Sequence, residues 1–152
     1  MKRQRLWLVP AVVLFMVMTL GAEGTRAVVV DRDLVIPISE VSPTAQFYPV
    51  EIEGVRMEVI AVQAADGTIR TAFNTCQVCY SSGRGYYKQE GNALVCQNCG
   101  NRFRMNRVEV ASGGCNPVPI FAENKTVTRT TITISRAFLR EAKTIFARWK
   151  SS

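Results

Sequence analysis

Two Cys-x-x-Cys pairs, Cys76-Gln-Val-Cys79 and Cys96-Gln-Asn-Cys99, stand 16 residues apart in this chain. No other feature limits its folding choices as much. Paired cysteines at this separation have the spacing of a four-cysteine metal site. A Cys-x-x-Cys turn converges two thiolates on one ion, with backbone N–H groups pointing at the sulfurs. Two such turns, brought together by a hairpin, complete a tetrahedron. The intervening residues can supply the hairpin, because Tyr86-Tyr87-Lys88 and Ala93-Leu94-Val95 can pair as short strands around residues 89–92. Gly100, directly after the second pair, allows the close backbone approach that such a knuckle needs.

The chain contains no histidine. That excludes imidazole–zinc sites, Ser–His and Cys–His catalysis, histidine-ligated haem and ordinary blue copper. A soft metal must be held by thiolate. Four thiolates around a tetrahedron suit zinc, a single iron or an iron–sulfur cluster. Between Arg70 and Arg107 there are six basic residues (Arg70, Arg84, Lys88, Arg102, Arg104, Arg107) against Glu90 alone, a surplus that would offset a dianionic tetrathiolate centre. A solvated basic face explains the same residues. All five cysteines fall between positions 76 and 115. The fifth, Cys115, sits in Gly113-Gly114-Cys115-Asn116-Pro117, a tight loop that presents one thiol. It could be a fifth ligand, a donor to the ligands, a free thiol or a buried inert side chain. Tyr80, Tyr86, Tyr87 and Phe103 flank the cysteines and could shield a metal from water, or simply pack a small module.

Ahead of this module, residues 1–5 are basic and residues 6–22 carry no charge. A basic start before an apolar run is a membrane-insertion signal. The expectation is a membrane anchor or cleaved signal over 1–27 and an extracytoplasmic cysteine-rich domain over 28–152, with its cysteine module at 75–120. Without Lys2, Arg3, Arg5, Arg26 and Glu23 the net charge falls from +7 to +4, weak grounds for a nucleic-acid partner.

The rest reads mostly as strands. Leu34-Val35-Ile36-Pro37-Ile38 is a short strand carrying proline, suited to a sheet edge. Residues 47–52, 55–63 and 68–74 form a meander whose turns are Glu53-Gly54 and Asp66-Gly67. Residues 108–120 read as a loop, and the β-branched run 126–134 as one strand. Ser135 can cap a helix over 136–150 whose apolar face is Phe138, Leu139, Ala142, Ile145, Phe146 and Trp149. The expected class is α+β: a small antiparallel β-rich domain with a four-cysteine ribbon-like module and a C-terminal amphipathic helix, behind an N-terminal membrane helix.

Four stretches resemble the FtrD-like family of membrane iron–sulfur proteins: Arg70 to Tyr80, Gly85-Tyr86-Tyr87, Val95 to Phe103, and Gly113 to Pro119. The likeness covers about residues 34–150. It implies an extracytoplasmic cysteine domain connected with bacterial iron uptake, with Cys76, Cys79, Cys96, Cys99 and Cys115 as the metal residues and iron or an iron–sulfur cluster as cofactor. A looser likeness to Rieske-type domains hints at a small β-rich fold, although each histidine of that pattern is a cysteine here.

The first functional expectation is therefore a membrane-tethered metal-binding protein of iron uptake or electron transfer. It has no turnover of its own, and its partner is an iron permease or an electron-transfer membrane protein. Two alternatives are a structural zinc ribbon for protein docking and an exported thiol–disulfide oxidoreductase. The Cys-x-x-Cys of the latter usually opens a helix in a βαβ unit, whereas turns and strands surround both copies here.

Overall fold

The computed structural model describes residues 26–150. The segment read as a membrane anchor or signal lies outside them, save for Arg26 and Ala27. Among the described residues no helix is long and apolar enough to cross a membrane.

Eleven strands are present among these residues: β1 (Val29–Val30), β2 (Leu34–Pro37), β3 (Gln46–Ile52), β4 (Val55–Gln63), β5 (Ile69–Cys76), β6 (Tyr87–Glu90), β7 (Ala93–Cys96), β8 (Arg102–Arg104), β9 (Pro117–Pro119), β10 (Thr126–Val127) and β11 (Thr131–Ile134). A central sheet runs in the order β1-β3-β4-β5-β9. Its β3-β4-β5 meander has the expected turns. Glu53 and Gly54 both take positive φ, 49° and 77°, as a two-residue turn of matching twist requires. At Asp66-Gly67 the side chain of Asp66 accepts from the Thr68 hydroxyl and from the Thr68 N–H, and those bonds hold its carboxyl low, at about 2.

The apolar pattern of β4 explains the layering. Met57, Val59 and Ala61 face one core with Leu34, Ile36, Ile132, Ile134, Leu139, Phe146 and Trp149. Ile60 and Val62, on the opposite face, join Ala72, Tyr87, Leu94, Phe103, Met105 and Val108 in a second core. The strand thus starts amphipathic and becomes apolar on both sides, as a sheet covered twice must be. On the first face lie the small sheet β10-β11-β2 and the C-terminal helix. On the second lies the sheet β6-β7-β8, which carries the second cysteine pair.

Several expectations change in detail. The loop at 108–120 contains β9, antiparallel to β5 at the sheet edge. Its prolines fit there because an edge strand can leave N–H positions unpaired. The run 126–134 is a tight hairpin, β10 and β11, turning at Thr128, whose hydroxyl oxygen accepts from the N–H groups of Thr130 and Thr131. β1 joins β3 in parallel, so the sheet is not wholly antiparallel. The last helix is α1 (Arg136–Glu141), which tightens into a 3₁₀ segment, Ala142–Phe146. Ser135 caps it as expected, its hydroxyl oxygen accepting from the Phe138 N–H. Phe138, Leu139, Ala142, Ile145, Phe146 and Trp149 all pack on the first core, which accounts for the apolar stripe.

Candidate metal centre

Cys76 is the last residue of β5, and Cys96 the last of β7. Each knuckle therefore starts where a core strand ends, and the strand's register aims the first sulfur. The two turns are built alike. The Cys76 N–H donates to the carbonyl of Gly85 (2.7 Å), and the Cys96 N–H to that of Asn101 (3.0 Å). The N–H groups of Val78 and Cys79 point at the Cys76 sulfur, and those of Asn98 and Cys99 at the Cys96 sulfur. Gly100 takes φ +73° and its N–H closes back on the Cys96 carbonyl at 2.9 Å. This is the knuckle geometry expected from the spacing. β6 and β7 pair from Tyr87↔Cys96 to Glu90↔Ala93 and bring the second knuckle beside the first.

A glycine sets the width of the first knuckle. A Cβ on Gly85 would stand 2.2 Å from the Cys79 carbonyl oxygen and 2.8 Å from the Tyr80 Cα, and backbone atoms cannot yield. Gly85→Ala should therefore cost about 1–3 kcal/mol or more by overpacking and should lower metal content as the knuckle opens. Urea unfolding with parallel metal analysis checks this, and unchanged values for both would refute it.

The Cys115 loop reaches the knuckles from β9. Gln77 fastens it: the Gln77 side-chain oxygen accepts from the Gly113 N–H (2.7 Å) and from the Asn116 side-chain amide (2.8 Å). The Asn101 side-chain amide donates to the Cys115 carbonyl at 2.8 Å. As a result the sulfurs of Cys76, Cys79, Cys96 and Cys115 all lie within 4.8 Å of one another. Cys99 stands outside this quartet. Cys99 is an exposed residue, and its sulfur is 2.9 Å from that of Cys115, which in turn is 3.3 Å from that of Cys76. The sequence presents Cys115 as one of several possibilities beside the two pairs. In the fold it sits at the centre, touching both.

Burial and hydrogen bonding divide the thiols. Cys76, Cys79 and Cys96 are buried. Burial raises Cys79 to about 12, against a hydrogen bond from the Asn98 side chain. Burial also raises Cys96 and Cys115. At Cys76 burial is outweighed by hydrogen bonds from the Tyr87 hydroxyl and the knuckle N–H groups, so its thiol sits low. Cys99, bonded by the Cys115 thiol and the Asn101 N–H, falls to about 7.

The flanking residues separate as well. Tyr87 and Phe103 are buried with the cysteines, and the Tyr87 hydroxyl is 3.8 Å from the Cys115 sulfur. Tyr80 is exposed, while Tyr86 packs edge-on to Trp149. Met57 and Met105 are core residues. Of the six cations, Arg70 pairs with Asp66 and Arg102 with Glu90, both at 2.7 Å.

Asn74 is the residue that sequence reasoning underrated. β5 bulges between Phe73 and Cys76, and Asn74 lies in the bulge, almost fully buried. Its side-chain oxygen accepts from the Tyr87 N–H (2.8 Å), and its amide donates to the Tyr87 carbonyl (3.3 Å) and to Glu58. It bonds β6 to β5 as a strand would. An asparagine two residues ahead of Cys76 is the only trace of this in the sequence.

A family model described as membrane iron-sulfur containing protein FtrD-like matches residues 42–146, which include all five cysteines. No curated protein and no solved structure matches the chain.

Proposed function

This chain belongs to the FtrD-like family of membrane iron–sulfur containing proteins, and from that premise we propose that it holds one iron ion in cysteine sulfur and serves iron uptake or electron transfer on the outer side of a membrane. The observation that carries the reading is the quartet. Thiolates about 2.3 Å from one tetrahedral ion lie about 3.8 Å apart, close to the spacing of four sulfurs held within 4.8 Å of each other. A multinuclear cluster spreads its thiolates over several iron atoms and holds them further apart. An iron bound by cysteine alone meets the family description without inorganic sulfide.

The donor set fits iron in kind: five thiols and no imidazole. Cys76, Cys79, Cys96 and Cys115 would hold the ion. Thiolate-bound iron supplies a one-electron couple. The surrounding residues exclude water, since Tyr87, Leu94, Phe103 and Val108 cover the buried side. The knuckle N–H groups and the Tyr87 hydroxyl neutralise sulfur charge. A membrane partner, an iron permease or an electron-transfer protein, would meet the side where Cys99 is exposed.

One observation favours a second reading. β6, β7 and β8 with two knuckles make a three-stranded ribbon, the form of a structural zinc site. Elemental analysis and a visible spectrum of anaerobically purified protein separate the readings. One iron per chain, thiolate-to-iron absorption and no acid-labile sulfide are the expected result. A colourless protein with one zinc would give the ribbon reading the better claim, and a metal-free protein with two disulfides would favour an oxidoreductase.

A further inference from the structure

Building on the one-ion reading above, we infer that Cys99 is not a resident ligand but the exchange thiol through which the metal enters and leaves the quartet. Five sulfurs converge here, and one tetrahedral ion takes four. The surplus sulfur is not arbitrary. Cys99 lies outside the group whose members are all within 4.8 Å of one another. It is the one exposed cysteine, whereas Cys76, Cys79 and Cys96 are buried. Its neighbour at 2.9 Å is Cys115, the least buried of the quartet.

That juxtaposition defines a path. Cys76, Cys79 and Cys96 form a buried triad anchored at two strand ends. Cys115 completes it from a loop, and the sulfur of Cys99, the exposed residue, stands 2.9 Å from that of Cys115. The step is a ligand exchange with no change of oxidation state. A bond forms between the metal and the Cys99 sulfur as the bond to the Cys115 sulfur breaks. The proton leaving the Cys99 thiol passes to the Cys115 thiolate, so charge and ligand number are conserved. The ion would then be bound by the one exposed cysteine, where an incoming donor can take it. The Asn101 amide ties the carbonyl of Cys115 to the turn that carries Cys99, so the two sulfurs stay in reach during the exchange.

The test uses the full chain loaded with cobalt(II), whose sulfur-to-metal absorption counts thiolates. Wild type, C99S and C99A are compared for spectrum and for the rate of cobalt loss to excess EDTA. C99S and C99A should keep the tetrathiolate spectrum and release cobalt at least tenfold more slowly, while Cys115→Ser should lose that spectrum. Loss of the tetrathiolate spectrum in C99A would make Cys99 a resident ligand and overturn the inference. Release as fast as wild type would overturn it too. Both outcomes leave the one-ion reading intact, whereas a wild-type chain that takes up no cobalt would bring down both.

Discussion

Cys96→Ser should empty the centre of metal and unfold the cysteine module, the largest effect of any single change in this chain. Cys96 is almost fully buried at the end of β7, receives two knuckle N–H groups, and belongs to the quartet. Apparent binding energies of structural four-ligand sites reach about 10–16 kcal/mol, as large as the whole stability of a typical domain, about 5–15 kcal/mol. The metal would add to a modest scaffold: β6, β7 and β8 are short, and they share their core with residues of β4 and β5. Chelation of the wild type should reproduce the variant's thermal transition. Affinity should rise with pH, because thiols must lose protons to bind, and burial holds Cys79 protonated up to about 12 in the metal-free protein. Desalted metal content and thermal melts, each with and without chelator, provide the check. A C96S protein with native metal content and an unshifted melt would rule the quartet out.

The second large effect should come from a residue that binds no metal. Asn74→Leu keeps approximate volume but strands the Tyr87 N–H and carbonyl, both buried partners of the Asn74 side chain. Each orphaned group costs about 1–3 kcal/mol, so a loss of about 4 kcal/mol is expected from denaturant midpoints. Tyr87 faces the sulfurs, and metal should also dissociate faster as β6 loosens. Trp149→Phe serves as a milder control, removing the indole N–H that bonds the Asn74 carbonyl while leaving a ring beside Phe146. A loss under about 1 kcal/mol for Asn74→Leu would mean that apolar contacts alone dock the two sheets.

The difference between these two sites shows what a sequence makes visible. The β3-β4-β5 meander was legible because its signals are local: positive-φ turns at Glu53-Gly54 and Asp66-Gly67, and a strand pattern between them. The ribbon hairpin was legible for the same reason. β9 was not, because two prolines suggest a loop until its distant edge partner, β5, is known. The run 126–134 hid its turn because threonines, not glycine or proline, make it. The quartet was legible only in part. Spacing pairs Cys96 with Cys99, yet the register of β5 against β9 decides that Cys115, and not Cys99, joins the buried sulfurs. Asn74 escaped for a related reason: its partner is the backbone of Tyr87, and backbone leaves no mark in composition.

β5 ends on Cys76 and also gives Phe73 to the far core, where the ring stacks on Phe138 and meets Phe146 edge-on. The sulfur centre is thus wired by one continuous strand to aromatic rings on the opposite side of the central sheet. Transplanting residues 75–120 onto a foreign scaffold would sever that strand and leave the first knuckle without a rigid stem. A minimal functional fragment must instead carry the whole meander and the C-terminal helix that clamps it.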